Sequence, residues 1–425
     1  MEEQEAILNY YQGRYAESLK TLSALLEKQT EMKGPRHPWT LNTQNNVGMV
    51  FLADGKYSEA LVMFEEVFDI QVKFLGLDHP NTLRTHHFIC MTLHEMGKYQ
   101  QEFKMLSCIS EMQDLQEDHE DALSIQQSLS IVLESLGKYE EALEVIGNLE
   151  KILNKPEHKT EDSVLLAHNR AIIYNSLGRY FEAEELFKQV IEWESQLKKE
   201  LELSKTKVNL AGVEENLGRY DKALKNCSEA LDIQKKILRK NHPVILATRH
   251  RIASILGKQS KSEEALEILQ EILRKRQKRW GNSHPLTCLV ELDVAIVMKQ
   301  MGKIEMALDN CQRCYDSQKD YLGSEHPFIL KTQKTIGVIL NKMGRKGEAL
   351  NILNNTLNSL MRVLVPEHSL TASVYYELGV VLENSARCFD AYQMYSQSLK
   401  LREKTLTGEH PDTLRSRDAT KRILN

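Results

Sequence analysis

One phrase recurs through the whole chain. Gly218-Arg219-Tyr220, followed by Ala223, returns as Gly13-Arg14-Tyr15, Gly55-Lys56-Tyr57, Gly97-Lys98-Tyr99, Gly137-Lys138-Tyr139 and Gly178-Arg179-Tyr180, and in weaker form at Ser260, Gly302, Gly344 and Ala386. Successive copies stand 42, 42, 40, 41, 40, 42, 42, 42 and 42 residues apart. A period of this length excludes a globular core around one cleft. Each unit is too small to bury its own apolar face, so it must stack on its neighbours as a solenoid.

A second signal keeps the same phase. His37-Pro38, His79-Pro80, His242-Pro243, His284-Pro285, His326-Pro327, His368-Ser369 and His410-Pro411 each lie 24 residues after a turn position. Proline suits the first turn of a helix, where its missing N–H would have had no partner and its φ is already helical. After the turn, Ala60, Leu61, Phe64, Val67 and Phe68 recur at helical spacing. Each unit therefore reads as helix A, a Gly-centred turn, helix B and a short loop ending in the next His-Pro. Residues 411–425 supply one more helix A, a terminal cap.

Five residues after the turn stands a small side chain, as in Ala60, Ala142, Ala183, Ala223, Ala265, Ala307, Ala349 and Ala391, which lets paired helices approach closely. Glu102 breaks this rule, so the third copy is expected to pack worst. Three loops in the middle lose the His-Pro: one keeps Asp118-His119, one contains Lys155-Pro156-Glu157-His158, and the stretch Leu197–Leu203 has no breaker. Its helices are expected to run on or to be joined tightly.

Composition closes off other classes. Charged residues make up 27% and the net charge is only −5, which does not imply nucleic acid. No apolar run approaches a membrane span, which takes about 18 residues. Seven cysteines, an odd and scattered set, fit a reducing cytoplasmic setting. Cys311-Gln312-Arg313-Cys314 lacks the second pair that zinc needs, so no metal and no cofactor is expected. The run Arg274–Arg279 reads as the exposed face of a helix B, with Trp280 buried at its end. No phosphate loop or catalytic triad order appears, and no catalytic residue is assigned.

An apolar residue followed by Gly or Ala in helix A (Val47-Gly48, Leu210-Ala211, Leu378-Gly379), the Gly-Lys/Arg-Tyr turn and the helix B alanine resemble the tetratricopeptide repeat (TPR). The 42-residue step with a His-Pro-x-Thr linker resembles the longer kinesin light chain and nephrocystin-3 variant. Nothing here resembles the N-terminal heptad region by which kinesin light chains bind the heavy chain. The resemblance implies an all-α fold, a right-handed α-solenoid of about ten stacked helix-turn-helix repeats over residues 1–425. It implies a non-catalytic scaffold or adaptor whose A helices line a concave groove that holds a peptide.

In that family an Asn nine residues before the turn bonds the peptide backbone; here the place holds Asn46, Asn169 and Asn209. The same face carries Arg84, Lys205, Arg251 and Lys331, expected to select acidic side chains, and also Lys258, Lys299, Lys334 and Lys342. Glu215, Asp293 and Glu377 stand among them. The expected partner is a protein or peptide segment of acidic character, with no nucleic acid and no membrane insertion. Two alternatives stay open: the sensing or autoinhibitory repeats of a larger signalling switch, and a cofactor-free enzyme in the groove. Strongly perturbed titratable groups there would favour the enzyme.

Overall fold

The computed structural model describes residues 2–11, 14–112, 120–153, 161–364 and 368–424. Among them are 21 α-helices and no strand, so the fold is an all-α solenoid. A lone sequence period of 42 becomes alternating A and B helices. They are α1 (Glu2–Tyr11) and α2 (Tyr15–Lys33), α3 (Pro38–Asp54) and α4 (Tyr57–Leu75), α5 (Pro80–Glu95) and α6 (Tyr99–Met112), and α7 (Glu120–Ser135) and α8 (Tyr139–Leu153). There follow α9 (Glu161–Leu177) and α10 (Tyr180–Gln196), α11 (Glu200–Asn216) and α12 (Tyr220–Ile237), and α13 (Pro243–Lys258) and α14 (Ser262–Trp280). The last are α15 (Pro285–Gln300) and α16 (Ile304–Leu322), α17 (Pro327–Lys342) and α18 (Lys346–Val363), α19 (Ser369–Asn384) and α20 (Cys388–Thr405), and the single α21 (Pro411–Leu424).

The His-Pro pair starts helix A as expected, but the histidine does the capping. His37 Nδ1 accepts the N–H of Trp39 at 3.2 Å, and His79, His242, His284, His326, His368 and His410 repeat the bond on the residue two places on. One orphan donor of the first turn is thereby satisfied. The turn from A to B needs a left-handed residue. The turn glycines from Gly55 onward take φ near +80°, and even Ser260 and Ala386 adopt +65° and +58° in the same place. Gly13, Asp118-His119 and the stretch from Lys155 to His158 lie outside the described residues. Where the sequence has no breaker, Leu197, Lys198 (φ +54°) and Lys199 alone join α10 to α11.

Within a repeat the helices close on small residues. A Cβ on Gly48, Gly337 or Gly379 of helix A would fall 2.5–2.7 Å from Phe64, Leu353 or Tyr395 of helix B. The alanines five residues past the turn are fully buried. Glu102 is buried as well, and its carboxylate meets His94 Nδ1 at 3.0 Å. Burial pushes Glu102 up and His94 opposes this; His94 is raised because Glu102, Glu95 and Glu134 outweigh its own burial.

The chain divides into two compact units: residues 1–135 with 144–155, and residues 136–143 with 156–425. In the first, Ala6, Leu22, Val47 and Val50 form one core cluster and Leu52, Phe64, Ile89 and Leu93 the next. In the second, one cluster runs unbroken from Leu246 on α13 to Val381 on α19.

The second unit also winds back onto itself. Gly137 lies under Pro327, where an added Cβ would meet the ring at 2.5 Å; Gly178 lies under Ser369, and Gly218 under Pro411 and His410. Tyr180 Oη donates to Ser369 Oγ at 2.9 Å, and Tyr139 stacks on His368. His368 Nε2 reaches the Ser176 carbonyl at 2.7 Å, and His410 Nε2 the Asn216 carbonyl at 3.0 Å. Each turn of three successive repeats thus carries the start of the helix A five repeats later. The superhelix closes in about five units, and its consecutive coils touch along a seam.

Candidate functional site

A helices of successive repeats pack on one another, as α11 on α13, α13 on α15, α15 on α17 and α17 on α19. Among the described residues B helices of successive repeats show no comparable packing, so the A helices hold the inner, tighter side of the curve.

Polar side chains knit the inner face one repeat apart. In the first unit Arg84 donates to Asn42 Oδ1 at 2.8 Å, Asn46 Nδ2 to Glu3 Oε1 at 3.1 Å, and Ser128 meets His87 Nδ1 at 3.3 Å. Arg84 and His87 line a small pocket with Pro80 and Ser124.

In the second unit Asn209 Nδ2 donates to His168 Nε2 at 3.1 Å. The Nδ1 of the same ring meets Thr206 Oγ1, which donates to Glu194. A neutral ring with its proton on Nδ1 fits all three bonds. Burial, then Lys205, lowers His168 to about 4.

The ionic centre lies further along. Glu215, 3% exposed, receives Arg251 and Lys258 at 3.1 Å each and the Ser254 hydroxyl at 2.7 Å. Burial alone would raise its pKa; Lys258 and Arg251 overcome this and hold it at about 2. His250 Nε2 meets Asp293 Oδ2 at 2.8 Å. Asp293 is likewise held at about 2, against burial, by Lys331 and His250. Burial lowers His250 despite that partner.

Beyond these pairs the balance is cationic. Lys334 donates to Ser373 Oγ at 3.2 Å, and burial, opposed by Glu377 and aided by Lys331 and Lys299, lowers it to about 8. Lys299 is lowered by burial, again against Glu377 and with Lys342 adding to the effect.

The residues expected to bind are therefore placed as follows. Asn46 and Arg84 lie in the first unit; Asn169, Lys205, Asn209, Arg251 and Lys331 lie in the second. Asn46, Asn209, Arg84 and Arg251 already have partners within the solenoid. Asn169 is buried, and among the described residues its amide nitrogen has no hydrogen-bond partner. Lys205 is exposed. Arg251 and Glu215 were both placed on this face by the sequence, but not as a pair.

Two side features are corrected. Arg276, inside the run read as solvent-facing, is 3% exposed and donates to the Leu286 carbonyl at 2.6 Å. Trp280 is half-buried and stacks on His284. Cys311 and Cys314 are buried thiols; burial pushes Cys311 up to about 12, and Cys314 Sγ donates to the Cys288 carbonyl at 3.3 Å. Among the described residues no group of three or more His, Cys, Asp or Glu could hold a metal ion. Among them no helix is long and apolar enough to cross a membrane.

An all-α solenoid of two-helix units with its A helices turned inward is the architecture of a protein-interaction scaffold. A tetratricopeptide-repeat model matches residues 2–73, 202–278 and 286–361, and a second tetratricopeptide-repeat model matches 165–192. The chain belongs to the tetratricopeptide-repeat family. Among solved structures it is similar to a Rap protein complexed with competence and sporulation factor. That match has 13% identity and a TM-score of 0.55, covering 81% of this chain and 98% of that one. It is also similar to the nearly identical TPR-like repeats of a putative kinesin light chain from Podosopora anserina. There the identity is 22% and the TM-score 0.36, covering 50% of this chain and 98% of the other. No curated protein sequence matches it.

Proposed function

We propose that the protein is a non-catalytic, kinesin light chain-like adaptor of the cytoplasm that holds an acidic peptide segment along the inner face of its A helices. The observation that carries this reading is the excess of cations on that face once Glu215 and Asp293 are paired. Asn46, Asn169 and Asn209 hold the peptide backbone, an amide being able both to donate to and to accept from a peptide unit. Arg84, Lys205, Arg251 and Lys331 meet acidic side chains. Because Asn46 and Asn209 are already bonded, binding exchanges one hydrogen bond for another at those positions. The seam keeps the inner face preformed, so little receptor ordering accompanies binding.

Two perturbed carboxylates of the inner face bear on the enzyme reading. Glu215 and Asp293, held at about 2, stay ionised near neutral pH. Neither has the pKa a general acid or base needs there. Their perturbation comes from pairing, which favours a structural and binding role.

The test is a pull-down read by mass spectrometry, comparing wild type with a folded Asn46→Ala/Asn169→Ala/Asn209→Ala variant. Partners lost only in the variant support inner-face binding. An unchanged partner list moves binding to the outer face or the loops.

A further inference from the structure

The seam in the second unit pairs one kind of helix start with one kind of turn. The start is a histidine that caps through Nδ1 and donates through Nε2. The turn is a glycine, and the carbonyl two residues before it accepts: His368 meets Ser176 before Gly178, and His410 meets Asn216 before Gly218. Leucines close the joint from both sides. Leu322, Leu364 and Leu406, each four residues before the histidine of a seam start, are buried, and so are Leu136, Leu177 and Leu217, each one residue before a seam glycine. Leu406 and Leu217 share one core cluster with Tyr180.

The chain holds unused copies of both halves. In the first unit His37 and His79 cap their helices, and among the described residues neither makes a hydrogen bond through Nε2. Leu75, four residues before His79, is 43% exposed, and Phe74, Leu77, Met32 and Trp39 stand exposed around the same two starts. Apolar side chains gathered in this way on neighbouring loops mark an interaction surface. In the second unit the turns at Gly302 and Gly344 face open space. Among the described residues no donor meets the carbonyls of Gln300 and Lys342, which stand two residues before those glycines as Ser176 and Asn216 do before theirs. Met343, in the place of Leu217, is 37% exposed. The charges repeat as well: Asp78 precedes His79 as Glu325 and Glu409 precede His326 and His410, and Arg345 follows Gly344 as Lys138 and Arg219 follow Gly137 and Gly218.

We propose that the protein associates head to tail with a second copy of itself, the His37 and His79 starts of one copy seating on the Gly302 and Gly344 turns of the next. The occupant follows from the joint. A seat of this kind receives a His-Pro start, and successive starts take successive turns along the seam. The two unused starts lie on neighbouring repeats, and so do the two unused turns. Nε2 of His37 donates to the Gln300 carbonyl and Nε2 of His79 to that of Lys342, while Leu75 covers Met343. Head and tail are different surfaces, so the contact is heterologous and every dimer keeps one free head and one free tail. Two seats bury little area, which makes the contact weak and dependent on concentration.

Sedimentation equilibrium of the full chain, from micromolar to near-millimolar concentration, tests the proposal. The weight-average mass of the wild type climbs with concentration and does not level off at the dimer. Leu75→Asp disables the head and Met343→Asp the tail; both side chains are exposed, and circular dichroism confirms that both variants fold. Each variant weakens association about tenfold or more. Val62→Asp, at another exposed apolar position on α4 and with the same change in net charge, alters it less than about twofold. The deciding sample is an equimolar mixture of Leu75→Asp and Met343→Asp. The intact tail of the first receives the intact head of the second, so the mass rises to the dimer and stops there, a gain that misfolding cannot imitate.

A wild type that stays monomeric at every concentration overturns the proposal and leaves the exposed loops to a different protein. A wild-type mass that levels off at the dimer, or a mixture that stays monomeric while the wild type associates, means a symmetric contact and overturns the head-to-tail assignment. Equal weakening by Val62→Asp overturns it too. None of these outcomes touches the inner-face reading, which the asparagine variant tests separately.

Discussion

The two units use one motif in two ways. His37 and His79, in the first, are half-buried and cap their helices through Nδ1. Among the described residues no hydrogen bond to Nε2 of either joins it to a distant turn. His368 and His410, in the second, are buried, and they cap through Nδ1 while Nε2–H donates to carbonyls 192 and 194 residues away. A cap is local chemistry and forms wherever His-Pro opens a helix. A clasp needs five earlier repeats to bring a turn beneath it.

The strongest way to break this contrast is to put a side chain into the seam. Gly137→Ala and Gly344→Ala both force an L-residue into a left-handed turn, at about 1–2 kcal/mol each. Gly137→Ala also drives a methyl into Pro327, whereas Gly344 faces open space. Gly137→Ala is expected to cost about 1–3 kcal/mol more in urea unfolding. Equal losses would mean that the seam is not formed in solution.

His410→Ala against His79→Ala comes next. Each loses a cap, about 1 kcal/mol. His410→Ala also strips the Asn216 carbonyl of its donor, adding about 1–3 kcal/mol. Thermal unfolding of the two variants checks the difference.

A smaller effect separates the clasps by pH. Burial lowers the pKa of both His368 and His410 in the folded chain. Their contribution is therefore complete above the unfolded histidine value of about 6.5 and is lost as pH falls through the lowered folded values. The added proton goes to Nδ1 and removes the acceptor for Leu370 or Asp412 N–H. Hydrogen exchange, corrected for intrinsic rates, should accelerate at residues 368–372 and 410–414 on acidification below about pH 6. Acceleration confined to the first unit would contradict the assignment.

The least change is expected from Glu102→Ala. Burial leaves Glu102 raised even with His94 beside it, so the ionised carboxylate is poorly repaid. Restoring the alanine of the other repeats should shift stability by less than about 1 kcal/mol. A loss above about 3 kcal/mol would show instead that the pair holds α5 to α6.

The period, the turn positions and the helix starts that carry His-Pro were legible in the sequence, because each is set by residues within one or two turns; the starts of α7, α9 and α11, which lack it, were not. Ser260 and Ala386 were readable as turns only by their phase, and both adopt the left-handed backbone that phase demands. Glu102 was visible as an exception, but its partner His94 was not. The seam left almost no trace. It depends on small rotations summed over five repeats, and the turn glycines and His-Pro starts it joins carry the same motifs as those in repeats outside the seam. One hint stood at His368, where the histidine persists although the following proline has become Ser369. The inner face was legible as a set of residues and not as a set of pairs. Glu215 stands three residues before its turn and Arg251 nine before the next, an offset that only the packing of α11 on α13 brings into register.

The seam also changes what the second unit can do under load. A solenoid whose coils stand apart stretches like a spring, each repeat yielding a little. Coils joined at Gly137–Pro327, Gly178–Ser369 and Gly218–Pro411 bear tension in parallel with the backbone path, so the coil holds its length until the joints rupture. Pulled from its ends, this unit would behave as a stiff coil with a yield point, set by joints that carry the hydrogen bonds of His368, His410 and Tyr180.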